Sequence, residues 1–101
     1  MRLEKDHLGE RQVPEEALYG IHSLRARENF PDHTRFHEEW FRALGLVKLA
    51  CYQTYDKLKQ AVAKKYPDRY VPLRLMDGQI LENLIRAAEE LSEGHYFESF
   101  I

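Results

Sequence analysis

The side chains with the most chemical reach lie in Tyr19–Arg25, which reads YGIHSLR. His22 and Arg25 are three positions apart, so on a helix they share one surface. A guanidinium there could hold a carboxylate through two parallel hydrogen bonds. The competing reading is an ion pair with Glu28 or Glu15, because ion pairs also shape charged sites. His33 and His37, with Glu38, could be drawn as a metal site. They lack the H-E-x-x-H form and supply only two imidazoles, so a solvated helix start is the preferred reading. Cys51 falls on an apolar stripe and reads as a buried, inert thiol rather than a nucleophile. Glu82, Glu89, Glu90 and Glu93 read as an exposed face. Glu89 and Glu90 are adjacent, so they do not point together as an acid/base pair. Tyr52, Tyr55 and Tyr66 read as core rather than as a ligand box. The glycines are scattered singly, which gives no phosphate loop, and no Ser–His–Asp arrangement can be argued.

These residues need elements to position them. A short strand or arm is expected at Arg2–Lys5, turning near Gly9 into a second extended piece at Arg11–Val13. Pro14 suits a first helical turn and is followed by Glu15 and Glu16, so a short helix is expected from about Pro14 to Arg27. Gly20 is its weak point, and Phe30-Pro31 closes it. A long helix should begin near Thr34 or Phe36. Its stripe is Trp40, Leu44, Val47, Cys51, Tyr55, Leu58 and Val62, at steps of three and four. Phe41, Leu49 and Tyr52 widen that stripe, so this helix should touch more than one neighbour. Tyr66-Pro67 ends it. Residues 68–76 form a connector, and Pro72 could open the next helix. That helix is otherwise expected from about Asp77 to Glu93, with Asp77 as cap, Gly94 at its end, and an apolar face of Ile80, Leu81, Leu84, Ile85, Ala88 and Leu91. The fold class is therefore mainly α: two principal antiparallel helices and a short one, preceded by a small extended or β-hairpin element.

A chain of 101 residues allows one small domain with a modest core. Its 15 basic and 17 acidic side chains nearly balance, which is not the footprint of a nucleic-acid binder. One Cys excludes an internal disulfide framework and fits a reducing compartment. No signal peptide is visible and no apolar run is long enough for a bilayer, so a soluble cytoplasmic domain is expected. The last residues, His95–Ile101, are rich in aromatic and apolar side chains where termini are usually polar. They read as a chain that continues.

The segment LGERQVPEEALYGIHSLRARENFP, residues 8–31, resembles the N-terminal segment of the aspartase/fumarase superfamily. Members carry a D-x-LGE-x-x-VP-x-x-A-x-YG string, then TLRA or TQRA, then ENFP. The matches here are Asp6, Leu8-Gly9-Glu10, Val13-Pro14, Ala17, Tyr19-Gly20, Leu24-Arg25-Ala26 and Glu28-Asn29-Phe30-Pro31, with Ser23 where Thr is usual. Later parts, GLVKLACYQTYDKL and ILENLIRAAEELSEGHYFESF, are similar to the family's long helix and to the helix and loop after it. Gly20–Ala26 resembles the aspartate ammonia-lyase branch, whereas class II fumarases tend towards GAQTQR. Around residues 64–70 the helix connection is longer than the commonest pattern.

The resemblance implies β-elimination on a small dicarboxylate: a proton leaves from next to one carboxylate and the group beta to it is expelled. It implies that residues 1–101 are an N-terminal lyase domain without the central helical bundle or C-terminal domain, and that no catalytic residue lies here. The family's proton-abstracting Ser lies in a mobile loop far downstream, and its active sites are assembled from several subunits of a homotetramer. The fragment alone is expected to be inactive. Arg25, at the Arg of the TLRA element, is the one position implied to bind a substrate carboxylate. No metal and no cofactor are called for, and neither nucleic acid nor membrane is an expected partner. The alternatives are a class II fumarase or other dicarboxylate lyase, and a stand-alone helical binding or assembly module.

Overall fold

The computed structural model describes residues 1–32, 34–67 and 74–101. Strands β1, Arg2–Asp6, and β2, Gly9–Val13, form an antiparallel hairpin with Asp6 opposite Gly9. The left-handed step of its tight turn falls on Gly9, at φ +121°, where the missing Cβ removes the steric cost. Asp6 Oδ1 accepts the Leu8 N–H at 2.9 Å and closes the turn. Three helices follow: α1, Ile21–Asn29, α2, Glu38–Lys65, and α3, Gly78–Ser92. A 3₁₀ turn at Phe97–Ser99 ends the ordered elements. The expected mainly α fold with its leading hairpin is what these residues form.

The chain divides into two units. Residues Met1–His37 and Tyr96–Ile101 form one, and Glu38–His95 the other. In the first, Val13 and Ile21 are buried. Helix α1 starts well after Pro14, against the expectation of a helix over 14–27. The reason lies in β1. In a helix the carbonyls of Pro14 and Glu15 would accept amide hydrogens four residues on. Here Arg2 Nη1 donates to both at 2.9 Å, and Arg2 Nη2 donates to the Tyr19 carbonyl at 2.8 Å. Residues 14–20 therefore wrap the Arg2 guanidinium, and the helix begins past Gly20.

The long helix also starts later than expected, at Glu38 rather than near Thr34 or Phe36. The Thr34 N–H donates to Asp32 Oδ1 at 2.8 Å. Arg35 donates to the carbonyls of Phe97 and Glu98, and the Phe36 ring meets Phe97 edge to face at 5.7 Å. These residues are held extended against the last residues of their own unit.

In the second unit α2 and α3 pack antiparallel. The backbone of Leu91 and Ser92 approaches Gly45 near the start of α2, while Lys59 near its end donates to the Met76 carbonyl at 2.6 Å. Phe41, Leu81 and Ala88 form the core. Asp77 caps α3 by accepting the Gln79 N–H at 2.8 Å, and Gly94, at φ +91°, follows its last turn, both as expected. Leu81, Leu84, Ile85, Ala88 and Leu91 lie on the covered side of α3, but Ile80 is exposed. The proposed start at Pro72 and the longer connection over 68–73 lie outside the described residues.

The stripe assigned to α2 is displaced. Phe41, Gly45, Tyr52 and Tyr55 turn towards cover, while Trp40, Val47, Leu58 and Cys51 are exposed. Cys51 is therefore not the buried thiol that the periodicity suggested. A helix apolar on two sides gives no single answer to a periodicity argument. Tyr55 and Tyr66 do not share a box either. The Tyr55 hydroxyl accepts the Met76 N–H at 2.7 Å, whereas Tyr66 is exposed under the Lys65 ammonium. Glu82, Glu89 and Glu93 are exposed as expected, but Glu90 is half-buried.

Candidate functional site

Strand β1 alternates with a period of two, and its charged side chains take the covered face. Arg2, Glu4 and Asp6 are half-buried, while Leu3 is exposed. Burying charge is costly unless it is paired and hydrogen-bonded, and each of these three is. Arg2 Nε donates to Glu4 Oε1 at 2.8 Å. Glu4 Oε2 accepts the Ile21 N–H at 2.7 Å, so a carboxylate from the strand caps the first turn of α1. Helix α1 has no acid of its own there. The Gly20 position has room for this carboxylate because a Cβ would stand only 3.1 Å from Glu4 Oε2.

Asp6 is the centre of the site. Arg25 donates to it twice, from Nε to Oδ2 at 2.7 Å and from Nη2 to Oδ1 at 2.9 Å. Their side chains are only 6% and 17% exposed. His22 approaches the same carboxylate, with Nδ1 3.9 Å from Oδ2, but its ring is 82% exposed. Hence His22 and Arg25 do share a face of α1, and both turn towards one carboxylate. The ion-pair partner of Arg25 is neither Glu28 nor Glu15. Glu28 pairs with Arg11 at 3.3 Å, and Glu15 faces the terminal ammonium of Met1 at 3.9 Å. An open depression lined by Leu8, Arg25, Ala26, Glu28, Asn29 and Phe30 lies beside the pair.

The Arg25 hydrogen bonds hold the Asp6 carboxyl below its ordinary range, helped by the Leu8 N–H. The Arg2 hydrogen bond and then the Ile21 N–H do the same for Glu4. A carboxylate whose folded pKa is depressed stabilises the fold above its unfolded pKa, and that stability is lost as pH falls through the folded value. The hairpin and α1 should therefore loosen as pH drops below about 4, the ordinary carboxylate range. Amide-exchange protection in β1 and α1, followed from pH 6 downwards, is expected to fall there. Asp6→Asn should flatten part of the response, and an identical profile in that variant would remove Asp6 as its source.

Reasoning from sequence found His22 and Arg25 but assigned no role to Arg2, Glu4 or Asp6. The usable signal was the R-x-E-x-D alternation of β1, which puts three charges on one strand face. His33 lies outside the described residues. Among those described, no group of three or more His, Cys, Asp or Glu side chains could hold a metal ion, and no helix is long and apolar enough to cross a membrane.

With that geometry in hand, comparison with known proteins is informative. The chain is 34% identical over 102 residues to an aspartate ammonia-lyase of a Bacillus species, a match covering all of this chain and 19% of that protein. It is 38% identical over 101 residues to the aspartate ammonia-lyase of Bacillus subtilis strain 168, covering 99% of this chain and 18% of the relative. A class II fumarate hydratase of Halobacterium salinarum is 34% identical over 100 residues, covering 98% and 18%. No family model matches. The chain thus spans about a fifth of the length of the curated relatives it matches. It belongs to the aspartase/fumarase superfamily. Within that superfamily it is similar to the N-terminal domain of aspartate ammonia-lyases.

Proposed function

We propose that residues 1–101 are the N-terminal domain of an aspartate ammonia-lyase. Such an enzyme removes a proton from the carbon next to one carboxylate of L-aspartate and expels ammonia from the adjacent carbon, leaving fumarate. The observation that carries this reading is the match to aspartate ammonia-lyases over the whole chain, at 34% and 38% identity. The whole enzyme would be a cytoplasmic homotetramer whose central helical bundle and C-terminal domain supply the bond-breaking groups. This domain would supply Arg25, steering a substrate carboxylate. Two of the five guanidinium N–H groups are given to Asp6, so the pair orients the fork while its outer edge stays geometrically able to meet a second carboxylate. A class II fumarase is the second reading, favoured by the Halobacterium match.

The test is formation of fumarate, read by its absorbance, with L-aspartate and separately with L-malate. Residues 1–101 alone are expected to turn over neither. The longer polypeptide encoded by the same reading frame is expected to act on aspartate. Activity on malate alone would favour the fumarase reading, and turnover by residues 1–101 alone would overturn the placement of the catalytic groups elsewhere.

A further inference from the structure

Helix α2 carries a second apolar face, on the side away from the Phe41–Gly45–Tyr52 contact with α3. Trp40, Val47 and Leu58 are 56%, 60% and 50% exposed on it. Cys51 and the small residues Ala43, Ala50, Thr54 and Ala61 are exposed between them. The steps of three and four between these positions make one seam along the helix. Over 21 residue steps at 1.5 Å each the seam runs about 32 Å.

The seam is palindromic in size. Reversed on itself about the Ala50–Cys51 peptide, it sets each larger residue opposite a smaller one. Trp40 meets Ala61, Leu58 meets Ala43, Val47 meets Thr54, and Cys51 meets Ala50. Facing layers of alternating large and small side chains interdigitate without voids. The charges follow the same symmetry. The first turn of α2 holds Glu38 and Glu39 and its last turn holds Lys64 and Lys65. An antiparallel copy places acidic start against basic end at both ends, and a parallel copy would place like charges together.

We propose that this face binds a second copy of the chain, as an antiparallel α2–α2 pair whose two-fold axis passes by Ala50 and Cys51. The contact is isologous, so it closes at two copies. It goes beyond the lyase reading and does not depend on it.

The experiment uses the 101-residue chain, with light scattering on a sizing column and cross-linking by a short bis-maleimide. A dimer is expected, joined through Cys51. Val47→Glu, at an exposed position, is expected to give a monomer with unchanged helical circular dichroism. Register is read in a Cys51→Ala background. Ala43→Cys should cross-link to Leu58→Cys but not to itself. A monomer at high concentration would overturn the proposal and leave the face to a different partner. Self-cross-linking of Ala43→Cys, which a parallel pair would give, would overturn it equally.

Discussion

Gly45→Val is expected to cost the α2–α3 pair about 3 kcal/mol or more, the upper range for overpacking a well-filled contact. A Cβ at Gly45 would lie 2.5 Å from the Ser92 backbone nitrogen, 2.8 Å from the Leu91 carbonyl carbon and 2.9 Å from the Ser92 Cα. All three are backbone atoms, which cannot rotate away as a side-chain end can. The last turn of α3 would have to lift off α2 and uncover part of the Phe41 contact. Removing a glycine from a helix interior returns only about 0.5–1 kcal/mol, so the clash wins. For a domain of this size the melting temperature should fall by about 12–24 °C, at 4–8 °C per kcal/mol. Thermal unfolding followed by circular dichroism reads it. A variant melting where the parent does would mean that the two helices do not approach at Gly45.

That close approach shows where sequence reasoning succeeds and where it stops. Helix α3 was legible because its signals are local: Asp77 caps it, Gly94 follows its end, and its apolar residues define one face. The hairpin was legible for the same reason, through Gly9 and short-range alternation. Helix α1 was misplaced because what forbids an earlier start is not local. Arg2 takes the carbonyls of Pro14, Glu15 and Tyr19, and Glu4 caps Ile21. A glycine at 45 reads as a mere weakness until the neighbouring backbone is seen to need the space. Both sides of α2 are apolar, and periodicity does not say which one α3 covers.

The site divides in the same way. The shared face of His22 and Arg25 follows from helical spacing alone. Their common partner, Asp6, lies on a strand of the hairpin, far back along the chain. Asp6 belongs to the same D-x-LGE string that carries the family resemblance, and the pairing gives that string a physical task. It ties the hairpin turn, through the Leu8 N–H, to the helix that bears Arg25.

In the enzyme that contains this domain, Arg25→Ala is expected to raise KM and lower kcat/KM about tenfold to a hundredfold. That is the range for losing a charge-assisted hydrogen-bonded contact to a carboxylate. Arg25→Lys should not rescue it, because an ammonium cannot hold Asp6 and a second carboxylate with one planar fork. The comparison that decides the role is Asp6→Asn. This change keeps the size of the side chain and leaves the guanidinium in place, but removes the charge that orients it. If Arg25 steers substrate, Asp6→Asn should change KM much less than Arg25→Ala does, while lowering the stability of the hairpin and α1. If Arg25 serves the fold alone, the two variants should lose activity and thermal stability in parallel. Steady-state kinetics set beside melting curves for the same three variants separates the two, and parallel losses would withdraw Arg25 from the substrate site.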